Sequence, residues 1–352
     1  MKKMLFLCGS LIVLLTTWTL AQDNTPTGSA GAVSGKGKGK KGGPTDYGSS
    51  AVDKTITKRL SAQEQLKHFI VPKDFEIELV AADPVVINPI TMVLDNKGRI
   101  IVSESHTYRY GPPGSPIKPY ANPVVRLDPD GKGGFTRTLI ADGFTDPVMG
   151  IAVKGDKLWL TACDYLYTYD IGDASLPRKG GEKGIATNKK LLLKDHSKAW
   201  NPFGMFVLEW GPDGKLYMSV GNHNINIEGP DGKISARGGS GMIVRMNPDG
   251  TKMERLVHGL RVPYSFEYDP FGQLWLLSNG EGNPDRFVRV IDGVDYHCYS
   301  RGVTNEWLAG RHPLAPPCEE VHGGAHTQLM RYYAANFPQE YQIGRASCRE
   351  RV

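Results

Sequence analysis

Four stretches of this sequence share one layout: an apolar strand, a polar turn containing glycine, and a second apolar strand. They are Thr91–Val102, Gly150–Leu160, Val207–Met218 and Ser265–Leu276. The first apolar residue after each turn is Ile100, Leu158, Leu216 and Leu274, each 58 positions beyond the last. A fixed interval of this kind marks a supersecondary unit that buries its apolar face by stacking on its own copies. Further strand candidates fill the units: Val124–Leu127 before Asp128-Pro129-Asp130-Gly131, then Tyr165–Asp170, then Met242–Met246 before Asn247-Pro248-Asp249-Gly250. Runs of β-branched and aromatic residues bounded by Pro-Asp-Gly are hairpin signals, because proline presets the turn and glycine accepts its positive φ. About four strands in each 58-residue unit predict an all-β chain folded as a β-propeller. A β-solenoid needs shorter repeats, and a sandwich would not repeat.

The propeller is expected over residues 59–341, which hold four blades and the start of a fifth. Propellers close on themselves with roughly 4 to 8 blades, so this stretch reads as an incomplete ring. Ala62–His68 is the one convincing helical candidate.

The two ends read differently. Residues 1–21 carry Lys2 and Lys3, an apolar run from Met4 to Leu15, and the small residues Thr19 and Ala21. The run is short for a membrane span, so this layout predicts a secretory signal peptide, with a retained N-terminal anchor as the alternative. Residues 22–58 are dominated by Gly, Ser, Thr and Lys and cannot bury enough apolar area to offset their ordering entropy, which predicts a disordered linker. Residues 343–352 read as the translation of a sequencing adapter and are left out of the fold. The signal peptide and the linker together explain the net charge of +5, because Lys2 and Lys3 lie in the one and Lys36, Lys38, Lys40, Lys41 and Lys54 in the other. The remainder is near neutral, and nothing in it suggests a nucleic-acid groove.

Cys163, Cys298 and Cys318 fall in the propeller region. Cys298 and Cys318 are able to bridge a loop of about twenty residues in an oxidising compartment, with one thiol left over, though spacing alone does not establish the pair. The chain holds no Cys-x-x-Cys-His, so it carries no motif for covalently attached haem.

Equivalent loops of a propeller converge at one end of the ring. The loops after the repeat strands are Ser103–Tyr108, Ala162–Asp164, Asn222–Asn224 and Asn279–Asp285. They bring Glu104, His106, Asp164, Asn222, His223, Glu281 and Asp285 to equivalent places. Carboxylates beside histidine suit a general base or an oxygen-ligated cation. Glu104, His106 and His223 are the candidate bases, and Asp164, Glu281 and Asp285 the candidate cation ligands. Polar loops that simply face water are the competing reading. Asp128–Gly131 and Asn247–Gly250 look like the start of a calcium loop, but their glycine comes too early and the closing glutamate is missing, so they are read as turns. Gly238-Gly239-Ser240-Gly241 is followed by a strand and not a helix, which weakens it as a phosphate loop.

Gly211–Tyr217, Asn247–Thr251 and His258-Gly259-Leu260-Arg261 followed by Asp269–Trp275 resemble the soluble quinoprotein glucose and sorbosone dehydrogenase superfamily. Phe69–Ala82, Gly98-Arg99 with Glu104, and Tyr333–Tyr341 are similar to the PVC-type propellers described as membrane-bound dehydrogenases. The resemblance implies six blades when complete, so that this chain stops in the fifth. It also implies pyrroloquinoline quinone and calcium as cofactors, and a cytochrome c-type haem domain further along the full-length chain. In those enzymes a histidine before the Gly-Pro-Asp-Gly strand is the base, and an Arg-Asn pair after the later His-Gly contacts the quinone. Here Arg261 matches, while Val262 replaces the asparagine and Asn201–Gly204 stands where the histidine is expected. His196, somewhat upstream, serves as base only if its loop folds back; Asn222 is the second candidate for cofactor contact.

The expectation is an exported dehydrogenase-like propeller oxidising a carbohydrate or alcohol, with electrons passing to the haem domain. A non-catalytic propeller that holds a glycan or protein, and a calcium-dependent lactonase-like hydrolase, are the alternatives.

Overall fold

Each repeat forms one antiparallel meander. The computed structural model describes residues 60–71, 75–105, 122–171, 185–197, 203–280, 285–296, 318–321 and 329. Residues 1–21 and 22–58, read above as signal peptide and linker, and His106, Glu281, Cys298 and residues 343–352 lie outside these. Helix α1 (Ala62–Leu66) belongs to a second compact unit, Leu15–Leu79, and is described by itself. Ser61 caps it: its Oγ accepts from Glu64 N at 3.2 Å, while Ser61 N donates to Glu64 Oε2 at 2.8 Å. It ends two residues earlier than the sequence predicts, at a single turn that buries no side chain.

The first blade is β1 (Pro89–Leu94), β2 (Ile100–Glu104), β3 (Val124–Pro129) and β4 (Phe135–Ala141). The second is β5 (Val148–Lys154), β6 (Lys157–Ala162), β7 (Tyr165–Asp170) and β8 (Thr187–Asp195). The third opens with β9 (Met205–Trp210) and β10 (Leu216–Val220). It then emits a hairpin, β11 (Ile225–Glu228) and β12 (Ile234–Gly238), and resumes with β13 (Gly241–Met246) and β14 (Glu254–Leu260). The fourth is β15 (Val262–Tyr268), β16 (Leu274–Asn279), β17 (Asp285–Arg289) and β18 (Glu319–Val321). Three four-stranded sheets and a second-blade sheet widened to six strands, with almost no helix among the described residues, make a β-propeller.

The first strand of every blade carries a bulge at the same point. Pro89 pairs Glu104 and Thr91 pairs Ser103, which leaves Ile90 extra. Met149 is extra in β5 and Tyr264 in β15, and in β9 the pair Phe206-Val207 opposes Ser219 alone. A bulge bends its strand and re-aims the residue that goes unpaired. Here the re-aimed side chains meet: Ile90, Met149, Phe206 and Tyr264 belong to one apolar cluster with Phe203 and Val262. One residue from the first strand of each blade thus reaches a common axis.

Hydroxyls spaced at the repeat interval tie these strands together. Ser103 Oγ donates to Val148 O of the next blade at 2.7 Å, and Thr161 Oγ1 donates to Phe206 O at 2.6 Å. Ser219 Oγ accepts from Val207 N at 3.2 Å, as Ser103 Oγ accepts from Thr91 N at 3.3 Å. Leu329 lies against the fourth blade, its backbone N donating to Ser265 Oγ at 2.8 Å.

Apolar cores fill the wedges between blades. Between the second and third, Trp159 meets Trp210 edge-on at 5.0 Å. Trp159 Nε1 donates to Pro248 O at 2.8 Å, and Trp210 Nε1 to Val153 O at 3.0 Å. One repeat later Tyr217 meets Tyr268 edge-on at 5.4 Å. The next equivalent, Trp275, stacks at 5.1 Å on Phe287 of its own blade and is only partly buried. Trp159→Phe keeps most of the buried ring but strands the Pro248 carbonyl, so urea denaturation is expected to show a loss of about 1–2 kcal/mol. An unchanged midpoint would remove that hydrogen bond from the account.

The hairpin β11–β12 was not legible as a separate element. It leaves the third blade in sequence but pairs with β8 of the second, extending that sheet to six strands. The glycine run that follows has a steric reason: a Cβ on Gly241 would stand 2.7 Å from Arg261 O and 2.9 Å from Val220 O.

Candidate functional site

The second strands β2, β6, β10 and β16 all finish at one end of the ring, as the repeat predicts, and the candidate residues there separate by partner. Glu104 is fully buried inside the first blade. Its Oε2 lies 3.0 Å from Arg137 Nη2, and its Oε1 accepts from Ile87 N at 3.2 Å. Its carboxylate joins β2 to the outer strand β4. Asp164 accepts from Asp195 N through its backbone oxygen at 2.8 Å, which ties the β6–β7 turn to the end of β8.

Asp195 organises the next part of the site. Its buried carboxylate accepts from His223 Nε2 at 2.7 Å, Ser197 N at 2.9 Å and Asn226 N at 3.1 Å. Burial by itself would raise its pKa, but the bonds from His223 and Ser197 outweigh it and hold the group below the ordinary carboxylate range. His223 Nδ1 lies 2.9 Å from Gly221 O. Both ring nitrogens of His223 are thus engaged with protein oxygens, Gly221 O and the Asp195 carboxylate.

From His223 the contacts run toward the fourth blade. The backbone of Asn222, itself buried, donates to Arg261 O at 2.7 Å. Arg261 Nη1 donates to Gly280 O at 3.3 Å, and Gly280 N donates to Asp285 Oδ1 at 2.8 Å. The Arg261 guanidinium stands 5.6 Å from the centroid of Phe203, which packs in the axial cluster. The second, third and fourth blades therefore share one polar arc, from Asp195 through His223, Asn222 and Arg261 to Asp285, with Arg261 over the axis.

Phe203-Gly204 completes the arc from below. Gly221 N donates to Gly204 O at 3.0 Å, and a Cβ on Gly204 would stand 2.5 Å from Cys163 O. Gly204 is thus pressed between two backbones, and Phe203 supplies an aromatic support for Arg261.

His196 faces elsewhere. Its backbone N donates to Asn226 O at 3.1 Å and its Nε2 lies 2.6 Å from Glu228 Oε2, so it is bound to the hairpin. Asp195, the residue beside it, had no distinguishing signal beyond ending a strand, because its partner comes from another blade.

Cys163 is a buried free thiol at φ +50°; burial, then the charges of Asp146, Asp164 and Asp195, push its pKa up and leave it inert. Cys318 is a free exposed thiol, and Cys298, its candidate partner, lies outside the described residues. Among the described residues no three His, Cys, Asp or Glu gather as a metal site.

Glu209 and Glu267 occupy equivalent points of β9 and β15, 58 residues apart. Crowding by protein, then the charge of Glu267, raises Glu209 to about 7, although water still reaches its side chain. A raised carboxyl favours the fold while protonated, so this contribution is present below about pH 4.3 and is lost as pH rises toward 7. Glu267→Gln is expected to lower the Glu209 midpoint, read by carboxyl-carbon NMR; an unmoved midpoint would leave burial as the whole cause.

The chain belongs to the family described as "Domain of unknown function (DUF7133)", which it matches over residues 61–328. No curated protein matches it. Among solved structures it is similar to the PQQ-bound aldose sugar dehydrogenase of Streptomyces coelicolor, at 15% identity and a TM-score of 0.41 over 60% of this chain and 62% of that one. It is similar to the PQQ domain of pyranose dehydrogenase from Coprinopsis cinerea, at 17% identity and a TM-score of 0.40 over 59% of this chain and 48% of that one. The soluble aldose sugar dehydrogenase of Escherichia coli in its apo-form gives 13% identity and a TM-score of 0.42 over 60% of this chain and 63% of that one. The match therefore spans less than two thirds of each of these proteins.

Proposed function

We propose that this chain is an exported propeller that binds a carbohydrate or small alcohol at the polar end of its ring and oxidises it with pyrroloquinoline quinone. The carrying observation is Arg261, held at Gly280 O and set over Phe203 beside the axis. The quinone is a planar polycarboxylate, and a guanidinium fork is the side chain best matched to a carboxylate. Arg261 would hold such a carboxylate, with Phe203 as its support. When bound, the quinone supplies a two-electron acceptor. Passage of those electrons to a cytochrome c-type domain elsewhere in a longer chain belongs to the same proposal.

Calcium finds no three-ligand group among the described residues, so no step is assigned to it. A second reading, a propeller that holds a glycan without reacting, is favoured by one observation: both ring nitrogens of His223 are engaged with protein oxygens. Absorbance titration of the full chain with the quinone separates the two. Uptake is expected, and Arg261→Ala should weaken it at least about tenfold, the loss of one charge-assisted contact. Wild type that ignores the quinone yet binds oligosaccharide supports the second reading; equal uptake by Arg261→Ala removes that residue from the site.

A further inference from the structure

Beside the polar arc, between the end of β8 and the hairpin β11–β12, lies an open depression of about 530 Å³. Its polar lining is Ser197, Asn224, Asn226 and Arg237, with Ile225 and Gly238-Gly239 between them. One cation and no carboxylate line it. The nearby acids are already engaged: Asp195 by His223, Ser197 N and Asn226 N, and Glu228 by His196.

The lining is fixed from behind. Asn226 N donates to Asp195 Oδ1 and Asn226 O accepts from His196 N. Arg237 Nε donates to Asn226 Oδ1 at 3.2 Å, which orients the guanidinium. That bond uses Nε and leaves the terminal amino groups of Arg237 without a partner among the described residues. Two parallel N–H donors on a planar cation match the oxygens of a carboxylate or sulfate. Amide groups such as that of Asn224, which is exposed at the rim, both donate to and accept from hydroxyls. Pockets of a few hundred Å³ with a few placed polar groups are the ordinary form of small-ligand sites.

We propose that this depression is a subsite for an acidic sugar, with the anionic group in the fork of Arg237 and ring hydroxyls on the amides of Asn224 and Asn226. The inference rests on the carbohydrate reading above and narrows it to saccharides that carry a carboxylate or sulfate. The hairpin makes the subsite, because it places a third-blade arginine beside the end of the second blade.

Calorimetric titration of the full chain tests it with digalacturonate, a monosulfated galactose disaccharide, cellobiose and inorganic sulfate. At least one acidic disaccharide is expected to bind ten times more tightly than cellobiose; which one does tells carboxylate from sulfate recognition. Arg237→Gln should erase that preference and Arg237→Lys restore part of it. Arg237 is exposed on an edge strand, so folding should be kept, and melting temperature checks this. Should the variant fail to fold, Asn224→Ala is expected to weaken the same disaccharide at least threefold. The subsite is overturned if cellobiose binds as well, if Arg237→Gln keeps the preference, if Asn224→Ala binds unchanged, or if inorganic sulfate binds as tightly as the acidic sugars. Quinone uptake measured on the same samples keeps the two proposals apart: uptake without acidic preference sinks only the subsite, and acidic preference without uptake sinks only the oxidation.

Discussion

Gly150→Ala is expected to cost the fold about 3 kcal/mol or more and to lower the melting temperature by roughly 6 °C or more. The added Cβ would stand 2.0 Å from Phe206 O and 2.7 Å from Thr161 Oγ1. Phe206 O is also the acceptor of the Thr161 hydroxyl, one of the bonds that join neighbouring first strands. The methyl therefore forces the first strands of the second and third blades apart at the axis, where no flexible side chain can yield. Gly272→Ala is the matched comparison: its Cβ meets nothing within 4 Å, and its φ of +76° carries the whole penalty. That substitution should cost about 1–2 kcal/mol. Chemical denaturation of both variants decides the matter, and equal losses would remove the close approach as the cause.

Asp195→Ala should cost about 3–5 kcal/mol, because it leaves the partly buried His223 without its carboxylate and strips Ser197 N and Asn226 N of their acceptor. Loss of the arc should follow, since His223 holds Gly221 and Asn222, and Asn222 holds Arg261. The effect has a pH signature. The folded pKa of Asp195 lies below its unfolded value of about 3.9, so its stabilisation is present above pH 4 and is lost as pH falls through the lower folded value. Wild type and Asp195→Asn should therefore differ in stability at neutral pH, and the gap should close as acid protonates the carboxylate. A gap that does not change between neutral and acid pH would mean that the charge of Asp195 contributes nothing.

Much of this architecture was legible in the residues. The interval from Ile100 to Leu274 located the second strand of each blade, because strand, turn and strand are local structures whose residues carry their own signals. The same interval placed Glu104, Asp164, Asn222 and Asp285 at one end of the ring. It did not say that Glu104 turns outward to Arg137 or that His196 turns to Glu228. Those choices depend on which strand lies alongside, and the hairpin that receives His196 pairs with a blade other than its own. The bulges were equally hidden: one unpaired residue in a strand of six or seven leaves no mark on its hydrophobic pattern.

By itself the sequence determined the repeat, the strand-turn-strand pair that opens each blade and the end at which the polar loops collect, since each follows from short-range periodicity and turn chemistry. Only the tertiary structure decided which polar groups meet. Asp195 and His223 are 28 residues apart on different blades, and the backbone of Phe206 comes so close to Gly150 that a Cβ there would stand 2.0 Å from its oxygen, an approach that no local pattern encodes. A propeller fixes such pairs by closing its first strands around an axis, so partners are chosen by the stacking of blades and not by proximity along the chain.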